Sequence, residues 1–268
     1  MKEAYLEEKG LFYKTNAFEQ HRPTLVFIHG LSGSSSAWLP YEKIFGDRYN
    51  ILTFDIRGHG KSKKFARRAD YEIEKFARDT HDLILHLNIP KFVLISHSFG
   101  TLIALEYIKL FRENVLASVF LSPMLDLNKN FSARLLRPVL GLSHVFNIFP
   151  FHPKPGHHVD YSRHPRTTDW NVKRCYADVR NTTLRVYLHC LRQSLALEQE
   201  YFLEKINVPT LIVHGTHDTM SPVKNSIRMS KKIENSELVL IPDTDHIIVL
   251  NNVKEVSGAI ETFLQKIL

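Results

Sequence analysis

The chain predicts an α/β domain: a mostly parallel sheet covered by helices on both faces. Three observations lead there. Short apolar runs rich in Val, Ile, Leu and Phe alternate with stretches of helical periodicity. The runs are continuously apolar, as strands buried on both faces must be. Polar clusters follow several runs directly, beyond the carboxyl ends of the strands, where parallel sheets gather their chemistry. At 268 residues the chain can bury roughly three quarters of its unfolded surface in one large core.

Strands are expected near 11–14, 24–28, 51–54, 92–95, 116–121, 209–213 and 237–241, and helices near 36–45, 72–87, 99–111, 222–232 and 252–266. The second helix has the clearest stripe, with Ile73, Phe76, Ala77, Thr80, Leu83, Ile84 and Leu87 at helical spacing. Asp70 is its expected N-cap, with Glu72 and Glu74 in the first turn. From about Met124 to Leu203 the alternation stops and no strand is expected. The organisation read from this is a core of 1–123 with 204–268 and an inserted helical segment of 124–203.

Charge divides along the same line. Residues 129–192 hold eleven Lys or Arg and three Asp, a net of +8 in a chain of +7. The core is therefore nearly neutral and the insertion is basic. The insertion also carries an apolar stretch from Phe131 to Phe151, including Phe146 and Phe149. A greasy pocket under a cationic rim suits amphiphilic substrates or anionic lipid surfaces. The opening Met1–Glu8 is acidic without an apolar centre, unlike a secretory signal. No run of eighteen apolar residues exists to span a membrane. Cys175 and Cys190, the only cysteines, read as buried thiols of a reducing compartment, so a cytoplasmic location is expected. The sequons at Asn130 and Asn181 are then chance matches.

Ser96-His97-Ser98-Phe99-Gly100 carries the most chemistry. It follows the apolar run Phe92–Ile95 and precedes a helical run to about Phe111. A strand turning sharply into a helix with serine at the apex is a nucleophile elbow, G-x-S-x-G, here with Ser96 in place of the first glycine. The turn pushes the Ser98 hydroxyl clear of its neighbours, and the helix N-terminus favours developing negative charge. A hydroxyl needs a base to take its proton and a third group to orient that base. Asp218 lies just past the strand Pro209–Val213, and His246 just past the strand Glu237–Ile241. Asp126, Asp243 and Asp245 are the rivals for the acid.

The order Ser98…Asp218…His246, each beyond a strand end, resembles the alpha/beta-hydrolases of the serine esterase and monoacylglycerol-lipase type. The resemblance covers nearly all of 10–125 and 203–268. His29-Gly30-Leu31-Ser32-Gly33 is similar to the family's oxyanion loop, which implies backbone N–H donors from Leu31 and Phe99. Gly30, His97, Phe146 and Phe149 are the implied substrate contacts. Asp55-Ile56-Arg57-Gly58-His59-Gly60-Lys61-Ser62 matches the family's D-x-R-G-x-G-x-S loop, a structural brace, and the insertion stands where the family places a helical cap.

What the resemblance implies is an acyl-enzyme hydrolase of lipid-like or other small-molecule esters, with no cofactor and no metal. Thioesterases, amidases, carbon–carbon bond hydrolases and perhydrolases share the three residues, and a ligand-binding relative is the answer from another class. The remaining motifs are weak. His152, His157, His158 and His164 crowd near Asp160 but match no zinc spacing and read as solvated. His164–Asp169 reads H-x4-D, a match that chance supplies in a chain with 15 His. Gly58–Ser62 mimics a phosphate-binding loop, with Asp55 where that loop needs glycine. Lys61, Lys63, Lys64, Arg67 and Arg68 lack the stacking aromatics of a nucleic-acid site. Oligomeric state is open.

Overall fold

The computed structural model describes residues 1–125 and 153–268. Among these, eight strands form one sheet: β1 (Lys2–Leu6), β2 (Leu11–Thr15), β3 (Thr24–Ile28), β4 (Asn50–Phe54), β5 (Phe92–His97), β6 (Val115–Leu121), β7 (Thr210–Gly215) and β8 (Ser236–Ile241). Their order across the sheet is β1-β2-β4-β3-β5-β6-β7-β8. β1, β2 and β4 pair antiparallel, and every other neighbour pair is parallel. Registers Ile28↔Ser96, His97↔Leu121, Leu121↔Val213 and Gly215↔Ile241 bring five strand ends to one rim.

Strand periodicity divides the core into two layers. Val26, Ile28, Leu94, Phe120 and Ile212 face α2 (Ile73–His86) and α3 (Phe99–Phe111). Leu25, Phe27, Val93, Ile95, Val119 and Val213 face the opposite layer, where Trp38, Tyr41 and Phe45 pack with Val256, Ile260 and Phe263. That layer contains α1 (Leu39–Phe45) and α8 (Val253–Ile267). The other helices are α4 (Val172–Thr182), α5 (Leu184–Ala196), α6 (Val223–Lys232) and the short α7 (Ile248–Asn251). No described helix is long and apolar enough to cross a membrane.

Three local expectations are corrected. Strand β1 was not foreseen, because only Leu6 of its five residues is buried and no apolar run marks it. It forms by pairing with β2 through a turn in which Gly10 takes φ +63°. Asp70 does not cap α2. The helix begins at Ile73, and Asp70 sits in a preceding 3-10 turn, Arg68–Tyr71, where its carboxylate faces Arg67 and Lys75. The expected helix 36–45 is a 3-10 turn, Ser35–Trp38, that becomes α1 where Pro40 enters.

Between β6 and β7 the described residues contain α4, α5 and two 3-10 turns, with no strand among them. The segment from Lys154 to Val159 runs back across the sheet domain. Lys64 Nζ donates to the Lys154 carbonyl, Gly156 N–H to Gly60 O at 2.7 Å, and Ser36 Oγ to Val159 O. His158 departs from its expected solvation, since its Nε2 donates to Asp55 at 2.8 Å. Asp55 also accepts the N–H groups of Ser35 and Lys61, both at 2.7 Å. Burial opposes the charge of this carboxylate, but His158 and the other donors outweigh it and hold the group below its ordinary range. Gly60 is obligatory here: a Cβ would lie 2.2 Å from the Asp55 carboxylate.

Three buried histidines brace the loops above this rim. His29 donates from Nδ1 to Gly30 O and accepts the Ile56 N–H at Nε2. His59 donates to Arg57 O, and His97 donates to the carbonyl of His246. Burial lowers all three, His59 and His97 to about 3. The unfolded chain takes up protons on the His59 and His97 rings below about pH 6.5, whereas the fold resists until about pH 3. The contribution of these two rings is thus complete above pH 6.5 and declines as pH falls, by up to ~1.4 kcal/mol per pH unit for each. Denaturant unfolding at stepped pH should show midpoints dropping between pH 7 and 4, with a flatter slope in His59→Gln. Constant midpoints would contradict the buried neutral state.

Candidate active site

Ser98 sits at the end of β5 with φ 53° and ψ −118°, a conformation that a non-glycine residue adopts only under constraint. The constraint comes from both flanks. A Cβ on Gly100 would lie 2.7 Å from Ile28 O and 2.8 Å from His29 O, so the start of α3 abuts the end of β3 backbone to backbone. The Ser98 N–H is tied to Leu121 O. On the other flank the β5 residue Ser96 is fully buried, its hydroxyl 3.4 Å from both Thr101 Oγ1 and Val119 O. Serine therefore fits where the usual pattern has glycine.

The rim brings the three expected side chains together. His246 Nε2 lies 2.7 Å from Ser98 Oγ, and His246 Nδ1 lies 2.7 Å from Asp218 Oδ2. Asp218 Oδ1 accepts the N–H groups of Met220 and Ser221, while Oδ2 also faces His214 Nε2 at 3.1 Å. Burial would raise this carboxyl, but hydrogen bonds from His214 and His246 dominate and keep it far below its usual range. An ionised Asp218 fixes the proton on His246 Nδ1 and leaves Nε2 as acceptor for the serine hydroxyl. Among the described residues the rivals stand elsewhere: Asp243 faces exposed His217, and Asp245 accepts from Ile247 N and Asn251. Asp126 lies outside the described residues.

A cavity of ≈ 610 Å³ opens over Ser98 and His246. Gly30, Leu31 and His97 line it beside the serine. A Cβ on Gly30 would come within 2.9 Å of His97 and 3.2 Å of Ser98 Cβ, so only glycine lets the loop approach the hydroxyl. Phe99 is the first residue of α3, and its N–H is one of those left free of helix carbonyls. Met124, Leu191, Leu195 and Val249 make the walls largely apolar. His97 Nε2 donates to the backbone carbonyl of His246 and so props the base. Phe146 and Phe149 lie outside the described residues.

The sequence reading missed a polar cluster in the wall. Tyr161 donates to Asp178 Oδ1 at 3.0 Å, and Arg174 Nη1 donates to Asp178 Oδ2 at 2.9 Å. Burial pushes the Asp178 carboxyl up to about 6 against the pull of Arg174. The i,i+4 spacing of Arg174 and Asp178 on α4 was the available signal. Asp169 was also missed, dismissed as part of a chance H-x4-D match. It is buried, and its carboxylate accepts the backbone N–H of His246. No group of three or more described His, Cys, Asp or Glu is arranged to hold a metal ion.

Comparison with known proteins agrees with this architecture. The sequence profile of the alpha/beta hydrolase fold family matches residues 23–253. A Haemophilus influenzae protein provisionally named an esterase/lipase is 28% identical, over 91% of this chain and 84% of its own length. A Synechocystis protein provisionally named a non-heme chloroperoxidase is also 28% identical, over 90% of this chain and 91% of its own. Among solved structures, a thermophilic esterase from Thermogutta terrifontis superposes with a TM-score of 0.73 at 19% identity, covering 96% of this chain and 93% of its own. An enol-lactonase from Burkholderia xenovorans gives 0.74 at 19% identity, covering 98% of this chain and all of the other. With its sheet order, its strand-end residues and a profile match across most of its length, the chain belongs to the alpha/beta hydrolase fold family.

Proposed function

We propose that this chain is a serine hydrolase of carboxylic esters. The observation that carries the reading is the unbroken relay from Ser98 Oγ through His246 to Asp218, with 2.7 Å at each step, on the floor of a largely apolar cavity. His246 Nε2 takes the Ser98 proton as the oxygen attacks the ester carbonyl. The N–H groups of Leu31 and Phe99 receive the oxyanion. Protonated His246, held by Asp218, passes its proton to the departing alcohol. Water then attacks the acyl carbon while giving a proton to the same nitrogen, and the return of that proton to Ser98 Oγ breaks the acyl bond and releases the acid. The Haemophilus influenzae relative provisionally named an esterase/lipase supports the assignment of substrate class.

The segment 124–203 is, in this reading, a cap that closes the cavity and sets acyl length. Cavity size and apolar walls favour medium acyl chains. Trp170, Val172 and Tyr176 are 66%, 79% and 65% exposed and interleave with exposed Arg163, Arg166 and Lys173. Trp170 also lines the cavity. Aromatic and basic residues mixed at a cavity mouth suit transient contact with an anionic lipid surface. The unpaired thiols of Cys175 and buried Cys190 fit a reducing, cytoplasmic setting.

Turnover of p-nitrophenyl esters across chain lengths should peak at intermediate length, and Ser98→Ala should lower kcat by about 10⁴–10⁶-fold. Activity surviving that substitution would place the nucleophile elsewhere. Vesicle co-sedimentation should rise with anionic lipid content and fall with salt. Equal binding to neutral vesicles would remove the charge argument.

A further inference from the structure

His246 is held at both ends of its own backbone. Its carbonyl accepts from His97 Nε2 at 3.0 Å, and its N–H donates to Asp169 Oδ1 at 2.7 Å. The first contact comes from the residue next to the nucleophile. The second comes from the insertion, seventy-seven positions away in sequence. Asp169 has a second engagement. Its Oδ2 accepts both the N–H and the hydroxyl of Thr219, at 3.0 and 2.6 Å, and Thr219 immediately follows Asp218. One buried carboxylate thus grips the base-bearing loop after β8 and the acid-bearing loop after β7.

The insertion is built to present that carboxylate. The Asp169 carbonyl is clamped by Arg174 Nη2 at 2.8 Å, and Arg174 Nε reaches Thr167 Oγ1 at 3.1 Å. The Thr167 carbonyl accepts from Asn251 at 2.6 Å, and the Trp170 indole donates to Thr219 Oγ1 at 2.9 Å. Residues 167–170 therefore form a hook, seated from both sides, with its only carboxylate buried against the relay loops. Without Asp169 all three donors would lose their acceptor, the buried N–H of His246 among them. The loops would then settle elsewhere, and a relay of 2.7 Å steps tolerates little drift.

We propose that Asp169 is a positioning residue for the hydrolase reading above, on which this inference rests: it sets His246 and Asp218 in register with Ser98 and makes the relay depend on how the insertion is seated. A displacement of the base of the order of 1 Å costs about 10²-fold in rate. Binding of substrate in the cavity does not use this carboxylate, so KM is expected to stay within about twofold.

The test uses the full chain with Asp169→Ala and Asp169→Asn, each also combined with His246→Ala, with thermal melts to establish folding. Asp169→Ala should lower kcat about 10²-fold with little change in KM. Asp169→Asn keeps one acceptor oxygen but turns an amide N–H₂ toward a donor, and should lose about tenfold or more. In the His246→Ala background, where no base remains to be aligned, the Asp169 substitutions should cause no further loss of the residual rate. A folded Asp169→Ala with kcat within about twofold of wild type would overturn the inference. If that variant does not fold, Asp169→Asn within the same limit would do so. An equal fractional loss with and without His246 would also overturn it, as that is the mark of a general structural defect. Fluorophosphonate labelling of the unmodified chain separates the two levels. A chain that does not label overturns the hydrolase reading itself, whereas a labelled chain with unimpaired Asp169 variants overturns this inference alone.

Discussion

The left-handed backbone at Ser98 is the constraint on which the site depends. A non-glycine residue in such a conformation costs on the order of 1–3 kcal/mol. Nothing local favours it. What imposes it is the approach of α3 to the carbonyls of Ile28 and His29, possible because residue 100 has no side chain. The turn must lift the hydroxyl out of the sheet before the helix can begin. The cost is offset by the two buried layers on either side of β3 and β5. The serine is thus presented by the packing of elements that take no part in its chemistry.

Electrostatics follow from that placement. Burial acts on Asp218, Asp55, His29, His59 and His97 alike, yet the outcomes differ because the partners differ. Asp218 stays ionised since several N–H groups point at it, two of them backbone amides. Asp55 stays ionised for the same reason in the brace below. His29, His59 and His97 receive no comparable support as cations, so they remain neutral donors and acceptors. The proposed reaction has one imidazole gain and lose a proton beside imidazoles that do not.

Much of this was legible in the sequence, and the pattern of what was not is physical. The parallel strands are continuous apolar runs because both faces are covered, and Phe92–Ile95 and Thr210–Val213 show it directly. Ser98, Asp218 and His246 could be placed because each follows such a run, so that topology alone sends them to one rim. Contacts formed across long separations with no periodic signature could not be read. β1 exists only as a partner of β2. His158 becomes a partner of Asp55 only once the segment 154–159 folds back over the sheet. Asp169 drew notice through a spacing motif, but its grip on His246 and Thr219 belongs to the folded insertion. Asp70 shows the reverse case, a residue with the right local chemistry for a cap and a helix that starts too late to use it.

The central claim is that the hydroxyl at the constrained turn is the atom that carries the acyl group. Rapid-quench reaction of the His246→Ala and unmodified chains with p-nitrophenyl acetate, followed by peptide mass spectrometry, tests it most directly. The account predicts an acetyl group on Ser98 in the unmodified chain, formed in a burst that outpaces steady turnover and is slowed by orders of magnitude without the imidazole. Ester turnover with no acyl group on Ser98, or with the group on another residue, would contradict it.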